Sequence, residues 1–318
     1  MRITALALLA AFIICFAGCG LIKGGPAAPI ETETCETQIA EAPRAEETFR
    51  RATLYYVSDE GYIVPVTKLI PWETGIAKAC LGYMTATEEN KAYARSAGLM
   101  PAIPEGVSFT VSIADSNAKV DITGLGALPS AEAELDMIEA IVNTLTCFPT
   151  VSTVTITRDG TGGALENGTE LPVRQGPYHL NPENEELATS AGAEAATLYF
   201  PNMSGAVTVP VTRYMSKAPS VYSIAAALID GANGKGLRSC FPENTLLLGA
   251  AIENGVATIN LSEDFAAVAE TEGLYSLAYR SLWLTLAERY DFTRLDIEIN
   301  GSLFAPEEVE PPSCVNGA

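Results

Sequence analysis

The hydrophobic pattern of this chain is one block of elements written twice. Leu54 to Val57 and Leu198 to Phe200 are short runs of β-forming residues, each read as a strand. A second strand follows in both places, carried by Val64-Pro65-Val66 and Val209-Pro210-Val211. Proline has no N–H for a ladder, so these strands are expected at a sheet edge or with a bulge, and assembly is expected to avoid them. A helix comes next. In the second block Val221, Ile224, Ala225 and Leu228 follow i, i+3, i+4, i+7 spacing between Pro219 and Gly231. The first block carries the weaker stripe Ile76, Ala79, Cys80, Tyr83. A hairpin is predicted where Leu246 to Ile252 and Val256 to Leu261 flank Asn254-Gly255, a dipeptide suited to the positive φ angles of a type I′ turn. Asp115-Ser116-Asn117 takes that place in the first block.

A second helix begins near Ser130 as N-cap, with Leu135, Ile138, Ile141, Val142 and Leu145 on one face; Tyr279, Leu282, Trp283 and Leu286 are its counterparts. The last strand alternates Val151, Val154, Ile156, and later Leu295, Ile297, Ile299, before the turn dipeptides Asp159-Gly160 and Asn300-Gly301. The blocks are collinear at offsets between 138 and 145 residues. The drop from 145 to 138 puts seven extra residues in a first-block loop between Thr85 and Gly98. A repeat this long is a domain duplication rather than a solenoid. The predicted fold is α+β: two tandem repeats, each a mixed or antiparallel sheet with two helices packed on one face. The expected boundaries are 51–165 and 196–306, with a linker over 166–195 and a disordered tail over 307–318.

The N-terminus changes the compartment. Met1-Arg2 precedes an apolar run from Ile3 to Phe16, shorter than the roughly 17–25 residues of a spanning helix. Residues 1–18 therefore read as a signal peptide. Phe16-Ala17-Gly18-Cys19 resembles the bacterial lipoprotein box, which predicts lipid attachment at Cys19 and a chain held on the outer face of the cytoplasmic membrane. Residues 19–50, rich in Gly, Pro, Ala, Thr and Glu, read as a disordered tether.

Charge and composition exclude several functions. The formal net charge is −20, which removes the basic footprint that nucleic-acid binding needs. Cys35, Cys80, Cys147, Cys240 and Cys314 remain after Cys15 and Cys19, and no CxxC pair occurs among them. Cys80 and Cys147 are expected to be small core residues. His179 is the single histidine and lies in the linker without an evident orienting partner. Asp115, Asp121, Glu263 and Asp264 are the candidate carboxylates for a catalytic pair. Asp121 is matched by Asn260 in the other block, and Ser262-Glu263-Asp264 reads as a helix start. No catalytic residue, metal or cofactor is expected.

The paired pieces resemble the GerM domain family: Leu-Tyr-Tyr/Phe, Val-Pro-Val, Gly-Leu with Ile/Phe-Pro-Glu-Gly/Asn, Gly255 to Ser262, Thr144 to Pro149, and Asp-Gly. The resemblance covers about residues 52–160 and 197–301. It implies a fold like that of ring-building domains of secretion machinery, and a role in sporulation or spore germination. The expected function is a lipid-anchored, non-enzymatic scaffold of the Gram-positive envelope, with envelope or sporulation proteins as partners and oligomeric assembly open. The alternative is a cell-wall-associated hydrolase or a ligand-binding lipoprotein with an interdomain cleft.

Overall fold

The strand patterns fold as alternating buried and exposed positions. In a computed structural model that describes residues 49–71 and 75–317, β1 (Phe49–Ser58) buries Ala52, Leu54, Tyr56 and Ser58 and turns the intervening residues outward. It pairs antiparallel with β2 (Ile63–Pro71), Tyr55 opposite Pro65, and on its other side with β3 (Leu99–Pro101). β7 (Glu194–Pro201) and β8 (Thr208–Met215) repeat that hairpin with Tyr199 opposite Pro210. The proline strands β2 and β8 are sheet edges, as the missing N–H requires.

The second strand group of each repeat is a mixed sheet. β4 (Ser108–Ala114) runs antiparallel to β5 (Asn117–Thr123), which lies parallel to β6 (Thr153–Arg158) across the helix α3 (Ala131–Thr146). The second repeat builds β9 (Leu247–Glu253), β10 (Val256–Leu261), α5 (Leu274–Ala287) and β11 (Arg294–Ile299) identically, and adds β12 (Ser302–Leu303). Both hairpins close on type I′ geometry. Asp115 and Ser116 have φ of 50° and 55°, Asn254 and Gly255 51° and 77°. The architecture is α+β in two tandem repeats, with the strands of each repeat divided between a hairpin sheet and a mixed sheet.

Helices α3 and α5 pack on β1 and β7. Met137, Ile138, Ile141 and Leu145 are buried in the core with Leu54 and Tyr56 of the first repeat, and Leu282 and Leu286 with Leu198 and Phe200 of the second. Ser130 caps α3 by accepting from Ala133 N at 3.1 Å. The shorter helices α1 (Ile76–Tyr83) and α4 (Val221–Ile229) occupy equivalent places, and Ser220 with Ser223 forms a capping box on α4.

Four expectations change. The seven-residue insertion is not a plain loop: it forms the helix α2 (Glu88–Arg95), capped by Thr87 with Glu88 and Glu89 in its first turn. Leu135 is 41 % exposed while its neighbour Glu134 is fully buried, because Glu134 accepts hydrogen bonds from Asn167 N (2.8 Å) and Thr169 N (3.2 Å) and so ties residues 167–169 to α3. Cys147 is the C-cap of α3 and exposed, not a core residue. Residues 307–317, expected as a frayed tail, fold back onto the repeats and end with Asn316 only 6 % exposed. Glu47–Ala318 form one compact unit, so both repeats and the segment between them belong to a single body. Residues 1–48, with the predicted signal peptide, Cys15, Cys19 and Cys35 and nearly all of the tether, lie outside the described residues.

Candidate functional site: the seam between the repeats

The two proline edges face each other, and two asparagines fill the space between them. Asn181 of the linker accepts from Ile63 N at 2.8 Å and donates to Ile63 O (2.9 Å) and Pro210 O (2.6 Å). Asn316 of the C-terminal segment accepts from Thr208 N at 2.8 Å and donates to Thr208 O and Pro65 O, each at 2.8 Å. Backbone bonds extend the contact: Thr67 N reaches Asn316 O at 2.6 Å and Thr212 N reaches Leu180 O at 2.9 Å. Glu183, two residues after Asn181, pairs with Arg213 at 2.7 Å and accepts from Asn233 N and Gly234 N. The segment expected as a linker is thus part of the packed body.

A cleft of about 340 Å³ opens on the linker side of the seam. Its lining includes Tyr55 and Tyr199, equivalent residues on β1 and β7, together with Cys147, His179 and Glu288. Each tyrosine reaches the C-cap of its own repeat's long helix. The Tyr55 hydroxyl lies 3.9 Å from Cys147 Sγ, and the Tyr199 hydroxyl donates to Glu288 Oε1. Burial pushes both phenols well above their ordinary range, reinforced by Cys147 at Tyr55 and by Glu288 at Tyr199. Neither phenol is poised for proton transfer near neutrality.

The carboxylates weighed from the sequence are kept apart. Asp121 accepts from Thr157 Oγ1 at 2.6 Å and Gly160 N at 2.8 Å, and these bonds hold its carboxyl below the usual range. Asn260 accepts from Gly301 N at 2.9 Å in the same place of the second repeat, so this position pins the turn after the last parallel strand. Asp115 sits in its hairpin turn, and Glu263 and Asp264 open a 3₁₀ helix (Glu263–Glu270) where Asp264 accepts from Ser262 Oγ. His179 is exposed, meets the Tyr214 ring edge-on at 5.9 Å, and makes no hydrogen bond with a described residue. It shares the cleft with Glu288, but Glu288 is engaged by Tyr199. Among the described residues no cluster of three His, Cys, Asp or Glu is arranged to hold a metal ion, and no helix is long and apolar enough to cross a membrane.

Asn181 and Asn316 are functional to the architecture and were not singled out from the sequence. A signal exists: Leu180-Asn181 and Val315-Asn316 each place an apolar residue and an asparagine after one repeat.

Residues 53–163 and 197–303 match the Germane family, described as sporulation and spore germination. The chain belongs to this family. Among solved structures it is similar to the tandem GerMN domains of the sporulation protein GerM from Bacillus subtilis, with a TM-score of 0.64 and 21 % identity over 85 % of this chain and 99 % of that one. The first GerMN domain of the same protein matches 40 % of this chain and 97 % of its own length at 21 % identity and a TM-score of 0.37. No curated protein sequence matches. The tandem match confirms the two-repeat fold of this Germane-family chain, and family and fold together support a sporulation-related role.

Proposed function

We propose that this Germane-family chain is a lipid-anchored, non-enzymatic scaffold on the outer face of the cytoplasmic membrane, which supports sporulation or spore germination by holding other envelope proteins. The seam carries this reading. Asn181 and Asn316 join the repeats into one body, so the outward faces of both repeats stand in a fixed mutual orientation. A scaffold needs that rigidity, and several acids serve the fold: Asp121 pins a turn, Glu134 holds the 167–169 segment and Glu183 pairs with Arg213. A hydrolase needs an acid and a base free to converge on a substrate. The anchor rests on Ala17-Gly18-Cys19 behind the apolar run.

The test is the full chain in a sporulating Gram-positive host, wild type against Cys19→Ser. The wild type is expected in the membrane fraction with labelled fatty acid on it, and the variant unlabelled, with fewer heat-resistant spores. Fatty-acid label that persists in Cys19→Ser refutes the anchor. Cell-wall turnover by the purified chain, abolished by substitution of His179 or Glu288, refutes the scaffold.

A further inference from the structure

A larger cleft, about 570 Å³, lies on the other side of the seam, within the range of roughly 300–1,000 Å³ common for small-molecule sites. One wall is α2 and β3 of the first repeat, through Tyr93, Ala97 and Leu99. The opposite wall is Val207 and Thr208 of the second repeat, Arg280 of α5 and the C-terminal segment.

Arg280 is the group that ordinary packing does not explain. Its Nε donates to Thr208 Oγ1 at 3.2 Å and its Nη2 to the carbonyls of Cys314 (3.0 Å) and Val315. Those partners are neutral. Nη1 has no partner among the described residues, and no carboxylate pairs with the guanidinium there. Elsewhere among the described residues arginines pair with carboxylates, as Arg213 does with Glu183 and Arg294 with Asp296. A half-buried cation left without a counter-charge is costly, and an anionic ligand removes that cost. Two further observations point the same way. No acidic residue lines the cleft among the described residues. The hydroxyl of Tyr93, a residue that lines the cleft, is sealed from solvent with no hydrogen-bond partner among the described residues.

We propose that this cleft binds a small carboxylate with an apolar body, the carboxylate meeting Nη1 of Arg280 and the body lying against Tyr93, Ala97 and Val207. The equivalent position in the first repeat is Glu139, so the duplication supplies the charge on one side of the seam only.

Benzoate is the probe, with benzyl alcohol as its neutral counterpart of similar shape, titrated calorimetrically into the purified full chain. Benzoate is expected to bind with Kd below about 1 mM and benzyl alcohol at least about tenfold more weakly. Arg280→Met should weaken benzoate by about tenfold or more and leave benzyl alcohol unchanged. Because Arg280 also holds the C-terminal segment, Ala97→Leu provides the second variant: it fills the cleft, leaves Arg280 and its carbonyl partners in place, and should abolish benzoate binding with an unchanged denaturation midpoint. Equal affinity for the acid and the alcohol, no benzoate binding up to about 10 mM, or full affinity in folded Ala97→Leu would each overturn the proposal.

Discussion

Asn181 and Asn316 make the same three hydrogen bonds from opposite sides of the seam. Each closes on both backbone groups of one residue in its own edge strand, Ile63 or Thr208, and donates to the proline carbonyl of the other, Pro210 or Pro65. Ile63 and Thr208 are equivalent at an offset of 145, as are Pro65 and Pro210, so the arrangement has approximate twofold symmetry. It also explains why proline suits these strands. The N–H and C=O of a strand residue point to the same side. With Pro65 O and Pro210 O facing the seam, an ordinary residue would aim an unpaired N–H there, and proline has none.

Loss of either asparagine should therefore destabilise the whole body. Asn316→Ala leaves Thr208 N, Thr208 O and Pro65 O without their side-chain partner. Orphaned buried groups of this kind cost about 1–3 kcal/mol each, and partial solvation brings the expected total to about 2–4 kcal/mol. Urea denaturation should show a lower midpoint for both repeats in one transition. A midpoint within error of wild type would mean that the asparagines do not hold the seam.

Pro65→Ala is expected to destabilise, although alanine fits a strand no worse than proline. The new N–H faces the seam, where Asn316 Oδ1 already accepts from Thr208 N and Asn181 Oδ1 from Ile63 N. The expected cost is about 1–3 kcal/mol. An unchanged or raised midpoint would show that the seam has a spare acceptor.

Gly234→Ala tests the contact between the β1–β2 turn and the 233–236 loop. A Cβ on Gly234 would lie 2.1 Å from the Tyr62 hydroxyl, which donates to Lys235 O at 2.8 Å. Overpacking of this kind costs about 1–3 kcal/mol. In a double-mutant cycle Tyr62→Ala should remove most of that penalty, because the clash needs both side chains. Additive losses would locate the strain elsewhere.

The legible part of the fold is the local part. The α4 stripe, the I′ hairpins, the Ser130 cap and the proline edges all follow from neighbours within a few residues, and the structure places them where the pattern does. α2 was hidden because Glu88–Arg95 has few apolar residues, with only Asn90 and Ala94 buried, and its helix rests on capping and end charges rather than on a stripe. The α3 face departs from its apolar stripe at Leu135 because Glu134 has partners more than thirty residues away in sequence. The seam was illegible for the same reason: Asn181 and Asn316 are polar residues in segments without periodicity, and the strand residues they bind lie up to 251 positions away. Arg280 sits on α5 among core residues, and only the fold brings the carbonyls of Cys314 and Val315 to it.

The last prediction concerns pH. Glu139 on α3 is pushed up to about 7, first by burial and then by Asp136 and Glu185; Asp136 is pushed up to about 6, by burial and by Glu132. Tyr178 and Glu185 of the linker are the groups that bear on Glu139 from outside its own helix, and Glu139 in turn raises Tyr178. An acid with a raised native value binds its proton more tightly folded than unfolded. The native state is then favoured below the ordinary values of 4.5 and 3.8, and that advantage is lost as pH rises towards about 7 for Glu139 and about 6 for Asp136. Above pH 7 both carboxylates are charged, crowded and partly desolvated. Glu139→Gln should consequently stabilise the chain at pH 8, by about 1–2 kcal/mol once solvent screening of these half-buried groups is allowed for, and do little at pH 4. The measurement is the urea midpoint of wild type and variant from pH 4 to pH 8. Curves that stay parallel across that range would show that Glu139 titrates as an ordinary surface acid, and curves that diverge towards high pH with the wild type the more stable would show that the carboxylate is stabilised in its charged form.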